Sequence, residues 1–121
     1  MTGAENREYK RMPTARPVRF KLLEEGDPEL ELNGVTSDLS HGGLALTTPW
    51  RVKYGKVVKL FLDLGLGEEL KIFATVAWAK DDGGQPRAGL RFVGISEAQE
   101  ELIDELVERY HKGAHRRISK N

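Results

Sequence analysis

Residues 69–93 read ELKIFATVAWAKDDGGQPRAGLRFV, and their pattern decides the fold class. Leu70, Ile72, Ala74, Val76 and Trp78 recur at every second position. That is the period of a half-buried strand, because successive side chains of extended backbone point to opposite faces. Asp82-Gly83-Gly84-Gln85-Pro86 breaks the alternation with turn-forming residues, and Ala88, Leu90 and Phe92 resume it. The stretch therefore predicts an antiparallel hairpin of strands at 69–80 and 87–93. Upstream the same period returns in Val18, Phe20 and Leu22, and again in Val58, Leu60, Leu62 and Leu64. Extended segments at about 29–39 and 44–47 lie between them, with Asn33-Gly34 read as a bulge or a tight hairpin. Glu25-Gly26-Asp27-Pro28, Ser40-His41-Gly42-Gly43, the loop at 49–55 and Gly65-Leu66-Gly67 punctuate the run.

Beyond Gly94 the period lengthens. Ser96-Glu97-Ala98-Gln99 matches a capping box, in which the serine hydroxyl serves an exposed helix amide and the glutamine reaches back. Leu102, Ile103, Leu106, Val107 and Tyr110 then form an apolar stripe at helical spacing. Glu97, Glu100 and Glu101 sit in the first turns, where the helix dipole favours negative charge, and Gly113 is the expected stop. Six short antiparallel strands followed by one amphipathic helix predict an all-β domain with a C-terminal helix. The expected architecture is a six-stranded antiparallel β-barrel with the helix covering an open end or side. The expected organisation is one domain: a flexible basic leader at 1–15, barrel at 16–95, helix at 96–112 and a basic tail at 113–121.

Composition agrees with a single globular unit. A chain of 121 residues with 39% apolar content can bury roughly two-thirds of its unfolded surface in one core. The absence of cysteine removes disulfide and thiolate chemistry. No apolar run approaches the roughly 20 residues of a membrane span, and MTGAENREYKR has no signal-peptide centre, so a soluble cytoplasmic protein is expected without membrane insertion. The 19 basic and 19 acidic side chains balance but are segregated. Residues 6–21 carry a net +5, residues 22–50 a net −6, residues 96–110 a net −5 and residues 111–121 a net +4. A neutral total argues against a generic nucleic-acid binder, while a basic leader suits a small anionic ligand or simply a solvated end.

No convergent set of reactive groups emerges, so an enzyme is not expected. His41 adjoins Ser40, but neighbours in sequence do not make a nucleophile–base pair. His111 and His115 have metal-sharing spacing without a third ligand nearby, so neither metal nor cofactor is expected. Phosphate-cradling glycine motifs are absent. Two small patterns remain. Arg7-Glu8-Tyr9-Lys10-Arg11 is an R-x-x-x-R, and with ten arginines about one such pair arises by chance; Arg87 and Arg91 form another, on one face of a strand, where they either add positive potential to a binding surface or, by default, are solvated. Asp38-Leu39-Ser40-His41-Gly42-Gly43 is a D-x-S-x-x-G, equally readable as a turn in which Asp38 and Ser40 bond local backbone and Gly42 or Gly43 takes positive φ.

In order and in context, the two patterns gain meaning. R-x-x-x-R leads into the first strand, and D-x-S-x-x-G begins 27 residues after Arg11. T-V-A-W-A at 75–79, G-L-R-F at 89–92 and a terminal helix complete the series. Across about residues 6–110 the chain resembles the PilZ domain, a bacterial receptor module for cyclic di-GMP. The resemblance implies a six-stranded barrel that binds the dinucleotide between leader and barrel surface and signals to a downstream protein, in motility, polysaccharide or secretion control. Arg7 and Arg11 match the family's leader arginines, and Asp38, Ser40 and Gly43 its turn positions. Trp78 matches an aromatic that can lie beside the ligand or close the barrel, while Gly89 and Phe92 match structural positions. The chemistry is compatible: arginine pairs with phosphate, reaches a guanine edge or stacks on its face, and a carboxylate accepts guanine N–H groups. Gly43 would let backbone approach the ligand. A further arginine preceding the motif goes with a stacked ligand pair in the family; here that position is Asn6, which favours one ligand per chain. Rival readings are a nucleotide-free adaptor of the same fold and, third, a small nucleic-acid-binding barrel.

Overall fold

The predicted strands form, and the sheet they build closes on itself. The computed structural model describes residues 11–23, 30–65 and 67–120. Arg7, Asn6, the 25–28 turn and Leu66 lie outside the described residues. The elements are β1 Arg11–Pro13, β2 Pro17–Leu22, β3 Glu31–Ser40, β4 Gly43–Thr47, β5 Val57–Asp63, β6 Glu69–Asp82, β7 Gln85–Val93 and α1 Glu97–Lys120. The antiparallel order runs β3-β2-β5-β6-β7-β4, and β4 pairs back onto β3. Six strands thus close into a barrel, and closure removes most of the free edge that six strands would otherwise expose, leaving β6 beyond Val76 paired with β7 alone. β1 adds a short seventh strand alongside the end of β3.

The inward parity of each strand supplies the core. Val18 and Phe20 of β2, Leu60 and Leu62 of β5, and Ile72 and Val76 of β6 are almost fully buried. Ile103 and Val107 of α1 close one end of the barrel, at 0% and 4% exposure. Helix entry uses the expected capping box: Gln99 N–H donates to Ser96 Oγ at 3.1 Å, and Ser96 N–H donates to Gln99 Oε1 at 3.2 Å. The same Gln99 amide donates to the Lys71 carbonyl at 3.0 Å, so one side chain caps the helix and ties it to β6.

Four local expectations change. Arg11–Pro13 is paired strand rather than part of a loose leader, with Met12 opposite Leu39. Main-chain pairing holds it, reinforced by Thr14 N–H to the Ser37 carbonyl at 3.1 Å and Thr14 Oγ1 to Thr36 Oγ1 at 2.7 Å. So short a segment, with a single large apolar residue, gives no alternation from which to read this. The helix does not stop at Gly113 but runs to Lys120, since an interior glycine costs only about 1 kcal/mol and no proline follows. Gly34 is neither bulge nor hairpin; it is extended and opposite Val18, where a Cβ would meet the Thr47 carbonyl at 2.9 Å. Gly42 and Gly43 both lack positive φ. By contrast, Gly83 and Gly84 turn β6 into β7 with φ of 63° and 85°, the two left-handed residues of a tight hairpin.

Ile103→Ala should cost about 2–5 kcal/mol by opening a cavity between helix and barrel. A lowered urea midpoint with an unchanged slope is the expected readout; an unchanged midpoint would show that the helix does not stabilise the barrel.

Candidate ligand-binding site

Two β-bulges make the outer surface on which the predicted residues meet. In β3 the pairing slips between Thr36 and Asp38, and in β6 between Val76 and Trp78. Before the first bulge Thr36 is buried in the barrel; after it Leu39 takes the core side, and half-buried Asp38 and buried Ser40 line the outer groove. After the second, Trp78 leaves the inward series of Ile72, Ala74 and Val76 and stands 40% exposed. This corrects the strict alternation that puts Trp78 on the core face: the extra residue, Ala77, reverses the parity of the residues after it.

Strand pairing then sets two parallel rows across the outer face. One row is Asp38–Ala45–Gly89–Trp78, and the next is Arg11–Ser40–Gly43–Arg91. From Asp38 to Trp78 the row crosses three strand spacings, roughly 14 Å. A shallow groove of about 170 Å³ lies over these rows. Its floor is small: Gly43, Ala45, Ala77 and Gly89. Its rim carries Arg11 and Asp38 at one side, and Trp78 and Arg91 at the other.

Each described site residue has a definite local role. Arg11 Nη1 reaches Asp38 Oδ1 at 3.4 Å, a loose pair with the Arg11 side chain 67% exposed. Ser40 Oγ donates to the Gly43 carbonyl at 3.2 Å across the β3–β4 turn, realising the local hydrogen bond of the turn reading. Gly43 is needed for packing against the protein itself, since a Cβ would collide with the Leu90 carbonyl of β7. The Gly42 carbonyl meanwhile accepts from Phe92 N–H at 2.9 Å, which docks the turn on β7. Gly89 lets the Trp78 indole lie on the strand surface, where a Cβ would overlap the ring. Lys80 and Arg87 hold cations 5.5 and 5.8 Å from the Trp78 ring centroid.

The turn also binds the helix. His41 Nδ1 lies 2.7 Å from Asp104 Oδ1, and its Nε2 lies 3.2 Å from Glu100 Oε2. His111 Nε2 lies 3.0 Å from the Arg11 carbonyl. Both motif segments therefore touch α1 through a histidine to which the sequence pattern assigns no role. Of the two readings of Arg91, solvated by default or adding positive potential to the binding surface, the groove lining favours the second, because β7 pairs with Gly43, a register no local pattern reveals. Arg87 bonds Ser37 Oγ and Asp82, both at 3.3 Å. Among the described residues no cluster of three or more His, Cys, Asp or Glu could hold a metal, and no helix is long and apolar enough to cross a membrane.

The PilZ domain family model matches residues 5–109, most of the chain. The chain belongs to the PilZ family. Among solved structures, it is similar to the PilZ domain of CeSA from a cellulose-synthesizing bacterium, at 30% identity and TM-score 0.61, over 80% of this chain and 93% of that one. The PilZ domain of YcgR from Escherichia coli, solved with c-di-GMP, shares the fold at 18% identity and TM-score 0.65, over 93% of this chain and 97% of that one. The Bacillus subtilis inhibitor of motility MotI/DgrA matches at 17% identity and TM-score 0.76 over 88% of this chain. This PilZ chain spans about half of that protein, 51% of its length. No curated protein matches the chain in sequence.

Gly89→Ala in this PilZ domain should lift the indole from β7. In a Trp50→Phe background, acrylamide quenching of Trp78 fluorescence should rise; unchanged quenching would show that the ring does not rest on the glycine.

Proposed function

We propose that this PilZ domain is a receptor for cyclic di-GMP that binds the dinucleotide on the Asp38–Trp78 face and passes the signal to a partner protein. The observation that carries the reading is convergence. Arg11, Asp38, Ser40, Gly43 and Trp78, spread over 68 positions of sequence, all line one groove. Their chemistry suits a ligand with two phosphates and two guanines. Arg11 and Arg91 offer planar donors for phosphate or for a guanine edge. The Asp38 carboxylate accepts from guanine N1–H and the N2 amine. Ser40 already donates its proton to Gly43, which leaves its oxygen lone pairs to accept. The exposed indole of Trp78 offers a stacking face beside two cations.

The loose Arg11–Asp38 pair presents little obstacle. An exposed pair of this kind contributes about 0.2–1 kcal/mol, less than the charge-assisted bonds each partner would make to the ligand. The groove itself, at about 170 Å³, is smaller than the roughly 300–1,000 Å³ usual for a ligand pocket. The reading therefore assigns further ligand contacts to Arg7, the other arginine of the motif, which lies outside the described residues. The protein does no chemistry on the ligand in this reading; it binds and presents an altered surface.

Titration calorimetry with cyclic di-GMP tests it. Binding should be seen at micromolar protein, and Arg7→Ala, Arg11→Ala or Asp38→Ala should each weaken it by about 10- to 150-fold, the loss of one charge-assisted bond of about 1.5–3 kcal/mol. Absence of heat at tens of micromolar from the intact chain would overturn the receptor reading.

A further inference from the structure

β6 outlives its neighbour. β5 pairs with it only as far as Val57 opposite Thr75, and the next residue is held by the β4–β5 loop: Val76 N–H donates to the Lys56 carbonyl, and Gly55 N–H to the Val76 carbonyl. From Ala77 to Asp82 the strand continues with β7 on one side, and no described backbone group pairs with it on the other. Register says which of its peptide groups face that open side. Pairs in an antiparallel ladder alternate between hydrogen-bonded and non-hydrogen-bonded. Asp81 stands opposite Pro86, which has no N–H to give, so this is a non-hydrogen-bonded pair. Asp81 and Ala79 accordingly direct their N–H and C=O groups away from β7.

A groove of about 440 Å³ runs along that edge, walled on the far side by Arg51, Val52 and Lys53 of the β4–β5 loop. Its charge is uneven. Arg51 is engaged by Asp81 at 2.5 Å and Arg87 by Asp82 at 3.3 Å, while Lys53 and Lys80 add two positive charges with no carboxylate of their own in the groove. Trp50 and Tyr54, which bracket the loop residues, are 50% and 78% exposed, and such side chains commonly anchor protein interfaces. We propose that this edge receives an extended acidic segment of a partner protein as an added strand, with Ala79 and Asp81 supplying main-chain bonds and Lys53 and Lys80 selecting for negative charge. Lysines on a strand edge discourage pairing between copies of the same positive edge; the same charges favour an acidic strand.

The edge also adjoins the ligand groove. Lys80 and Arg87 line the edge groove and lie over the Trp78 ring, so a base stacked on the indole would reposition the cations that a partner strand meets. That coupling rests on the receptor reading above; the docking surface itself does not.

The test uses the whole chain and a short labelled peptide alternating glutamate with threonine and valine. Amide NMR should show shifts at residues 51–53 and 77–82, with slowed hydrogen exchange at Ala79 and Asp81. Lys53→Glu combined with Lys80→Glu should weaken binding about tenfold or more, and an equally acidic peptide with proline at alternate positions should not bind. Shifts elsewhere, equal binding of the proline peptide, or an oligothymidylate of equal charge binding at least as well to this edge would each overturn the proposal. Cyclic di-GMP, added last, should change the peptide affinity. Peptide binding without any cyclic di-GMP binding would sink only the receptor reading, and cyclic di-GMP binding without peptide binding would sink only this one.

Discussion

In a closed barrel, a residue's face is set by parity: each strand alternates between core and solvent, and closure fixes the register of every strand against two others. A residue moves from the face its parity dictates to the other only if that count is interrupted. Two single-residue interruptions, at Ser37 and Ala77, do this here. The first brings Asp38 and Ser40 outward and leaves Leu39 in the core; the second turns Trp78 outward just after Val76. Because β4 and β7 lie between the two bulged strands and carry glycine and alanine on their outer faces, the two redirected segments look across an unobstructed floor.

The tight positions of this floor are demands of the fold itself. Gly43 is fixed by the Leu90 carbonyl and Gly89 by the Trp78 indole, and Ser40 commits its proton to the turn. Such a surface is held in place by the protein's own contacts, and a preformed surface lowers the ordering cost of any binding to it. The adjustable parts are at its rim, where Arg11 and Asp38 hold each other at 3.4 Å in solvent. Behind the rim, His41 and His111 connect the turn and β1 to α1, whose apolar face seals the barrel through Ile103 and Val107.

Much of this is legible in the sequence, and the rest is hidden for a common reason. Alternation in 69–93, and in the strands of Val18 and Val58, specifies barrel strands because side-chain burial tracks backbone period directly. The capping box at Ser96 is legible because its two partners lie three residues apart. Asp38, Ser40 and Gly43 are legible as a motif, though Gly43 serves a neighbouring strand rather than a turn with positive φ. The hidden features all involve partners distant in sequence. β1 exists because β3 pairs with it, Arg91 joins the groove because β7 lies against Gly43, and Trp78 changes face because of one unpaired residue. None of these leaves a trace in local periodicity.

The bond between His111 and the Arg11 carbonyl has an architectural consequence. The contact joins β1 to α1 across one hundred residues of chain, while α1 itself continues a further nine residues to Lys120. Its acceptor is a main-chain carbonyl, so no substitution of the Arg11 side chain removes it directly. The position of β1 on the barrel is thereby tied to the helix through a single imidazole, and a displacement of one is felt by the other without passing through the core.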